Sequence, residues 1–181
     1  MPASRQRQSK RFLEVALELC GAGLAGLSLL ENSSDGQVFR WSALAGAVAL
    51  HVGGSTPRNF SPCGLCLDRH HTILISRPAR LFTYFNAAEP PIVEVLTVPL
   101  FDTRKVPLGT IWIISHDEKQ GFDATDARVM EQLAVQLVLA LKVAQDAASH
   151  AGALESNDAA IKEAHHRTKN SIQIAVSILR M

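Results

Sequence analysis

Two runs rich in Val, Ile and Leu, "IVEVLTVPLF" and "LGTIWIISHD", flank the short polar link "DTRKVP", and a strongly helical stretch follows them. Runs of that length and branching suit strands of a buried sheet, so the segment reads as strand, turn, strand. The stretch behind it, "GFDATDARVMEQLAVQLVLALKVAQDAA", has the marks of a helix start. Asp123 stands as N-cap, and Asp126 three residues on takes the capping-box position, with Asp in place of the usual Glu. A sheet ending in a capped helix is a strong constraint on how the rest can pack.

The chain before it supplies a matching half. Near the N-terminus Phe12, Val15, Ala16 and Leu19 have the spacing of one helix face. "GLAGLSLLE" reads as a strand, "NSSDG" as a turn, and "QVFRWSALAGAV" as a second strand running on into a helix or loop, which predicts an antiparallel hairpin. The segment from His51 to His71 holds Gly53, Gly54, Pro57 and Pro62 without a clear period, and is expected to be an irregular binding loop or lid. "TILIS" is a short strand, and "RPARLFTYFNAAEPP" a short helix and loop. Helix, strands, lid, strands, helix predicts an α+β domain with an antiparallel sheet flanked by helices.

Apolar residues make up 47% of the 181, enough for a real core, and a net charge of +1 gives no electrostatic case for nucleic acid. The basic "RQRQSKR" before "FLEVALELCGAGLAGLSLL" looks like the start of a signal peptide, but Glu14 and Glu18 fall inside the apolar part. An amphipathic helix is expected there, and no membrane span anywhere. Cys20, Cys63 and Cys66 are an odd number, which suits reduced thiols in a cytoplasmic protein.

From Leu133 and Leu137 to Leu179, positions that alternate by four and three are mostly apolar, with His165 and Thr168 among them, a heptad seam leading out of the domain to the C-terminus. The seam predicts a long C-terminal helical extension and a parallel homodimer through residues of about 130 to 180. It is alanine-rich, and Asp158 interrupts it. Two ordinary helices parted near "ESND" remain the other reading.

Inside that stretch lies "EAHHRTKNSIQ". Adjacent residues on a helix point about 100° apart, so His165 and His166 cannot grip one metal ion together. His166 shares a face with Glu163, Lys169, Asn170 and Gln173. A carboxylate one turn back can hold one imidazole nitrogen and leave the other free as a nucleophile, while a lysine and an amide one turn ahead can meet a phosphate. A solvated polar face, with Glu163 paired to Arg167, is the competing reading.

The same residues resemble the phosphoacceptor helix of sensor histidine kinases whose motif reads E-x-x-H-R-x-K-N-x-x-Q. The resemblance implies that His166 accepts the phosphoryl group, with Glu163, Lys169 and Asn170 around it. The implied partners are a response regulator and an ATP-binding kinase domain in cis or trans. ATP and magnesium are then expected only through that missing or separate domain, and no cofactor in this chain. Upstream, from about Arg11 to Ala148, "GGSTPRNFSPCGLCLDR" and "PLGTIWIISHDEKQGFDATDARVMEQLA" resemble a GAF domain, an antiparallel-sheet sensor built around a small-molecule pocket. The expected division is therefore 1–148, a GAF-like sensor, and 149–181, the start of the phosphoacceptor helix.

"SPCGLCLDRHH" leaves several chemistries open. Cys63 and Cys66 with His70 or His71 suggest three zinc ligands, a dithiol pair, or, given the resemblance, a cysteine for a bilin. The plainer expectation is thiols that shape a pocket, with no metal bound. Asp68 and Arg69 either face a polar ligand or fix the loop. The function expected is the sensor and phosphoacceptor portion of a two-component kinase. The alternatives are a stand-alone GAF-type binding or dimerisation module with a vestigial histidine helix, and a thiol redox or metal sensor at Cys63 and Cys66.

Overall fold

The computed structural model describes residues 3–34, 36–46, 52–118, 121–147 and 149. It comprises two units, Met1–Ala140 and Leu141–Met181. In the second, residues 141–147 and 149 are helical, and the Ser149 hydroxyl donates to the Gln145 carbonyl at 3.0 Å. Glu163, His165, His166, Lys169, Asn170 and the later seam positions lie outside the described residues.

The first unit begins with helix α1, Ala3–Cys20, followed by strands β1, Leu24–Ser33, and β2, Gly36–Gly46. A short β3, Ser55–Pro57, leads to helix α2, Pro62–Arg69, and β4, Ile73–Ser76. Two 3-10 turns, Pro78–Arg80 and Thr83–Ala87, precede β5, Glu94–Phe101, and β6, Pro107–Ser115. Helix α3 occupies residues 124–140 of this unit. The six strands form one sheet in the order β3-β2-β1-β6-β5-β4, antiparallel at every pairing. The α+β expectation and both predicted hairpins hold.

Alternation along the strands gives the sheet two buried faces. Leu24, Val95, Trp112 and Ile114 share one face and pack with Phe39, Leu44 and with Cys63 and Leu67 of α2. Ile111, Ile113, Leu27 and Leu100 are buried on the other. There α1 lies across β1 and β2. Helix α3 buries Met130, Ala134 and Leu137 at helical spacing. Its start is capped as expected: Asp123 Oδ1 accepts from the backbone N–H of Thr125 at 2.6 Å and of Asp126 at 3.1 Å, and Asp126 Oδ2 accepts from Asp123 N–H at 2.9 Å.

Two expectations about helix faces need correction. In α1 the buried positions are Ser9, Leu13, Ala16 and Cys20, whereas Val15 and Leu19 are exposed. The helix carries two neighbouring apolar stripes, and the sheet takes the one that includes Leu13. On α3 the seam position Leu137 is 1% exposed and belongs to the domain's own core, while Val135 and Leu139 are the exposed apolar residues. A heptad pattern marks an apolar face without saying whether a sheet or a second helix covers it.

Candidate functional site

Helix α2 lies within the stretch expected to be irregular, and local chemistry explains it. The Ser61 hydroxyl, buried, accepts from Gly64 N–H at 3.1 Å, and Pro62 occupies the first turn, where its missing N–H is no loss. His70, at φ 58, closes the helix in the left-handed conformation and returns its N–H to Leu67. Gly64 is required at its position, because a β-carbon there would collide with the Arg58 backbone.

Arg58 ties this helix down. Its guanidinium donates to the Gly64 carbonyl at 3.2 Å and to Asp68 Oδ1 at 2.6 Å, and it sits 5.9 Å from the centre of the Phe39 ring. The hydrogen bond from Arg58 holds the Asp68 carboxyl below the usual aspartate range. Asp68 is thus a loop anchor, and Arg69 is exposed; neither lines the cavity described next.

That cavity, of about 700 Å³, opens between the α2 face of the sheet and a wall made by β3, the start of α2 and the segment from Tyr84 to Ile92. Trp41, Trp112, Tyr84 and Phe85 give it an aromatic lining. Trp112 turns its ring face to the cavity because its indole N–H is spent inside the sheet, donating to Ser28 Oγ at 2.8 Å. Gly26 makes room for that ring. Four wall residues, Thr56, Tyr84, Thr97 and His116, each carry a polar side-chain atom that is closed to solvent and has no hydrogen-bond partner among the described residues. Burial pushes the Tyr84 hydroxyl upward in pKa, so it remains a neutral O–H.

The two thiols of the C-x-x-C part company. Cys63 lines the cavity, and Cys66 belongs to a separate cluster with Ile73, Ile75 and Phe82. Burial pushes both upward in pKa; the Thr110 and Ser28 hydroxyls temper the rise at Cys63. The Cys66 thiol donates to the His71 and Thr97 carbonyls, each at 3.4 Å. Neither is held as the thiolate that redox exchange or zinc binding needs. His70 stacks on Phe101 with centroids 5.3 Å apart, and His71 bonds to the Arg69 carbonyl, so neither turns toward the thiols. Among the described residues no three His, Cys, Asp or Glu side chains converge as a metal site.

Sequence reasoning reached Cys63 but missed Thr56, Thr97, Tyr84 and His116. Tyr84 had a faint signal, as the single tyrosine of the chain between two prolines. The other three sit in separate segments that only the sheet order brings together.

A family model described as the GAF domain matches residues 3–142. Among solved structures the chain is similar to the GAF-B domain of DevS from Mycobacterium smegmatis, at 18% identity and a TM-score of 0.64, covering 83% of this chain and 99% of that one. It is similar to the GAF domain of a two-component sensor histidine kinase from Bacillus halodurans, at 17% identity and a TM-score of 0.57, covering 80% and 97%. It is also similar to free methionine-R-sulfoxide reductase from Neisseria meningitidis, solved with its substrate, at 20% identity and a TM-score of 0.61, covering 79% and 81%. No curated protein matches the sequence.

Proposed function

The chain belongs to the GAF domain family, and from that premise we propose that it is the sensory and phosphoacceptor part of a two-component histidine kinase. The cavity on the α2 face takes a small molecule, and its occupancy controls phosphorylation of His166. The observation that carries the sensing half is the cavity of about 700 Å³ walled by Trp41, Trp112, Tyr84 and Phe85. The output half rests on the E-x-x-H-R-x-K-N-x-x-Q motif, matched by Glu163, His166, Arg167, Lys169, Asn170 and Gln173. His166 attacks the γ-phosphate of ATP held by a separate catalytic domain, and the phosphoryl group then passes to an aspartate of a response regulator. His165, on the heptad seam, is the poorer acceptor, since a phosphoryl group there places charge in a packed helix interface. A parallel homodimer brings two such helices together.

The thiol alternative has less support, because burial keeps both Cys63 and Cys66 protonated. The alternative of a binding module with a vestigial histidine is separated by experiment. The chain is joined to, or mixed with, a histidine-kinase ATP-binding domain and incubated with labelled ATP. Acid-labile label is expected on the wild type and absent from His166→Gln, with His165→Gln retaining it at least in part. Label on His165, or none on any form while the ATP-binding domain labels its own helix, rejects the phosphoacceptor assignment.

A further inference from the structure

Given the sensory reading just proposed, the wall of the cavity identifies the kind of molecule it takes. Most polar side chains of that wall withhold their polar atoms from the interior. The Thr56, Tyr84 and Thr97 hydroxyls and His116 Nε2 are closed to solvent, so an occupant of the cavity does not reach them. The other nitrogen of His116, Nδ1, lies 3.0 Å from the Pro91 carbonyl, which can only accept, and donates to it. Trp112 has spent its indole N–H on Ser28, and the buried Ser61 hydroxyl caps α2 at Gly64. What is left facing the void is largely carbon.

Much of that carbon is aromatic and not yet covered. Trp41, Tyr84, Phe85 and Ile92 are half-buried, and all four line the cavity. Apolar surface that the fold leaves uncovered is surface that an apolar ligand removes from water. Tyr84 and Phe85, with ring centroids 4.5 Å apart, belong to the segment that faces the sheet, while Trp41 and Trp112 stand on β2 and β6. A flat π-system between them meets ring faces or edges on both sides. The Cys63 thiol, kept protonated by burial, adds a soft apolar contact. Ser55 and Glu89, also on the lining, are exposed, so a polar or charged substituent beside them keeps its water.

We propose that the cavity binds the flat, fused-ring aromatic hydrocarbon portion of its ligand. Apolar burial and ring contacts hold that portion, not hydrogen bonds, and polar substituents project to the mouth.

Pyrene, a neutral molecule of four fused rings, tests this on the full chain. The two tryptophans of the chain, Trp41 and Trp112, both line the cavity and serve as energy-transfer donors to it. Pyrene is expected to quench tryptophan emission, to show the vibronic pattern of an apolar surrounding and to raise the melting temperature. Phenanthrene should displace it. Phenanthridinone, close to phenanthrene in shape but carrying an amide, should compete about tenfold more weakly, because the amide gives up water without a partner. Perhydrophenanthrene, the saturated and puckered counterpart, should also compete about tenfold more weakly. Phe85→Leu, which keeps an apolar side chain without a ring, should weaken pyrene about threefold. Ala88→Phe, which fills the space from the lining, should abolish pyrene uptake. Phenanthridinone competing as well as phenanthrene overturns the hydrocarbon class and leaves a ligand-taking cavity. Perhydrophenanthrene competing equally, or Phe85→Leu binding pyrene undiminished, overturns the aromatic requirement. Undiminished uptake by folded Ala88→Phe puts the pyrene elsewhere and overturns the assignment to this cavity. No melting shift with any of the four compounds on folded protein overturns the ligand class, and the sensory reading falls with it when a broad set of polar small molecules gives no shift either.

Discussion

A methyl group at position 26 would lie inside the van der Waals envelope of the Trp112 ring, within 2.5 Å of Cε2 and Cη2. The ring sits where it does because Nε1 donates to buried Ser28 and because Gly26, its partner across the β1–β6 ladder, leaves the space. Gly26→Ala is therefore expected to push the indole off Ser28 and into the cavity. The cost should be about 1–3 kcal/mol, the range for overpacking a core. Thermal unfolding should show the loss, and tryptophan emission should shift; an unchanged melting curve and spectrum would show that the ring is not held this way. The same residue scale explains what could not be read in advance. Trp112 was legible as a strand residue, since it lies in the continuous apolar run Ile111 to Ile114. That it walls a cavity depends on Gly26, Thr97 and His116, which lie far apart in sequence and whose residue types carry no signature of a site.

At the scale of elements, α2 is the instructive case. It is eight residues long with a glycine in its second position-pair, Gly64 beside Cys63, and so has too few turns for a helical period to stand out. Ser61-Pro62 was a readable start signal, but the cluster of glycines and prolines before it suggested a loop. What fixes the helix is tertiary: Arg58 reaches its carbonyl at Gly64 and its side chain at Asp68. This makes a pH-dependent prediction. The hydrogen bond from Arg58 lowers the folded Asp68 pKa. Its contribution is therefore present above the unfolded aspartate value of about 3.9 and is lost as pH falls through the lower folded value. Because Asp68 is largely exposed, solvent screens the pair and the contribution is small. Arg58→Gln should lower the melting temperature at neutral pH, and the difference from wild type should narrow below about pH 4 without vanishing, since the Gly64 and Phe39 contacts do not titrate. A difference constant from pH 7 to pH 2.5, on the order of those limits, would remove the ion pair from the account.

At the scale of the molecule, the sheet was readable because both of its long hairpins announce themselves by polar links between apolar runs, and α3 by its Asp123 cap. The heptad pattern was readable too, but its meaning was not. Leu137 satisfies the seam's spacing and is nonetheless buried against its own domain, while Val135 and Leu139 on α3, and Val15 and Leu19 on α1, keep apolar surface outside. Helix spacing cannot distinguish these faces, because a sheet and a partner helix ask for the same residue types. A homodimer through residues of about 130 to 180 must therefore use the outer face within the domain. Leu139, 50% exposed, is the position to alter. Leu139→Asp should halve the mass seen by light scattering at micromolar concentration while leaving thermal unfolding of the sheet nearly unchanged, because the side chain contributes little to the core. Leu137→Asp should instead unfold the domain, since it buries a carboxylate in an apolar core. Dissociation by Leu137→Asp in a protein that stays folded, or a wild type that is monomeric from the start, would reject the outer face as the dimer contact.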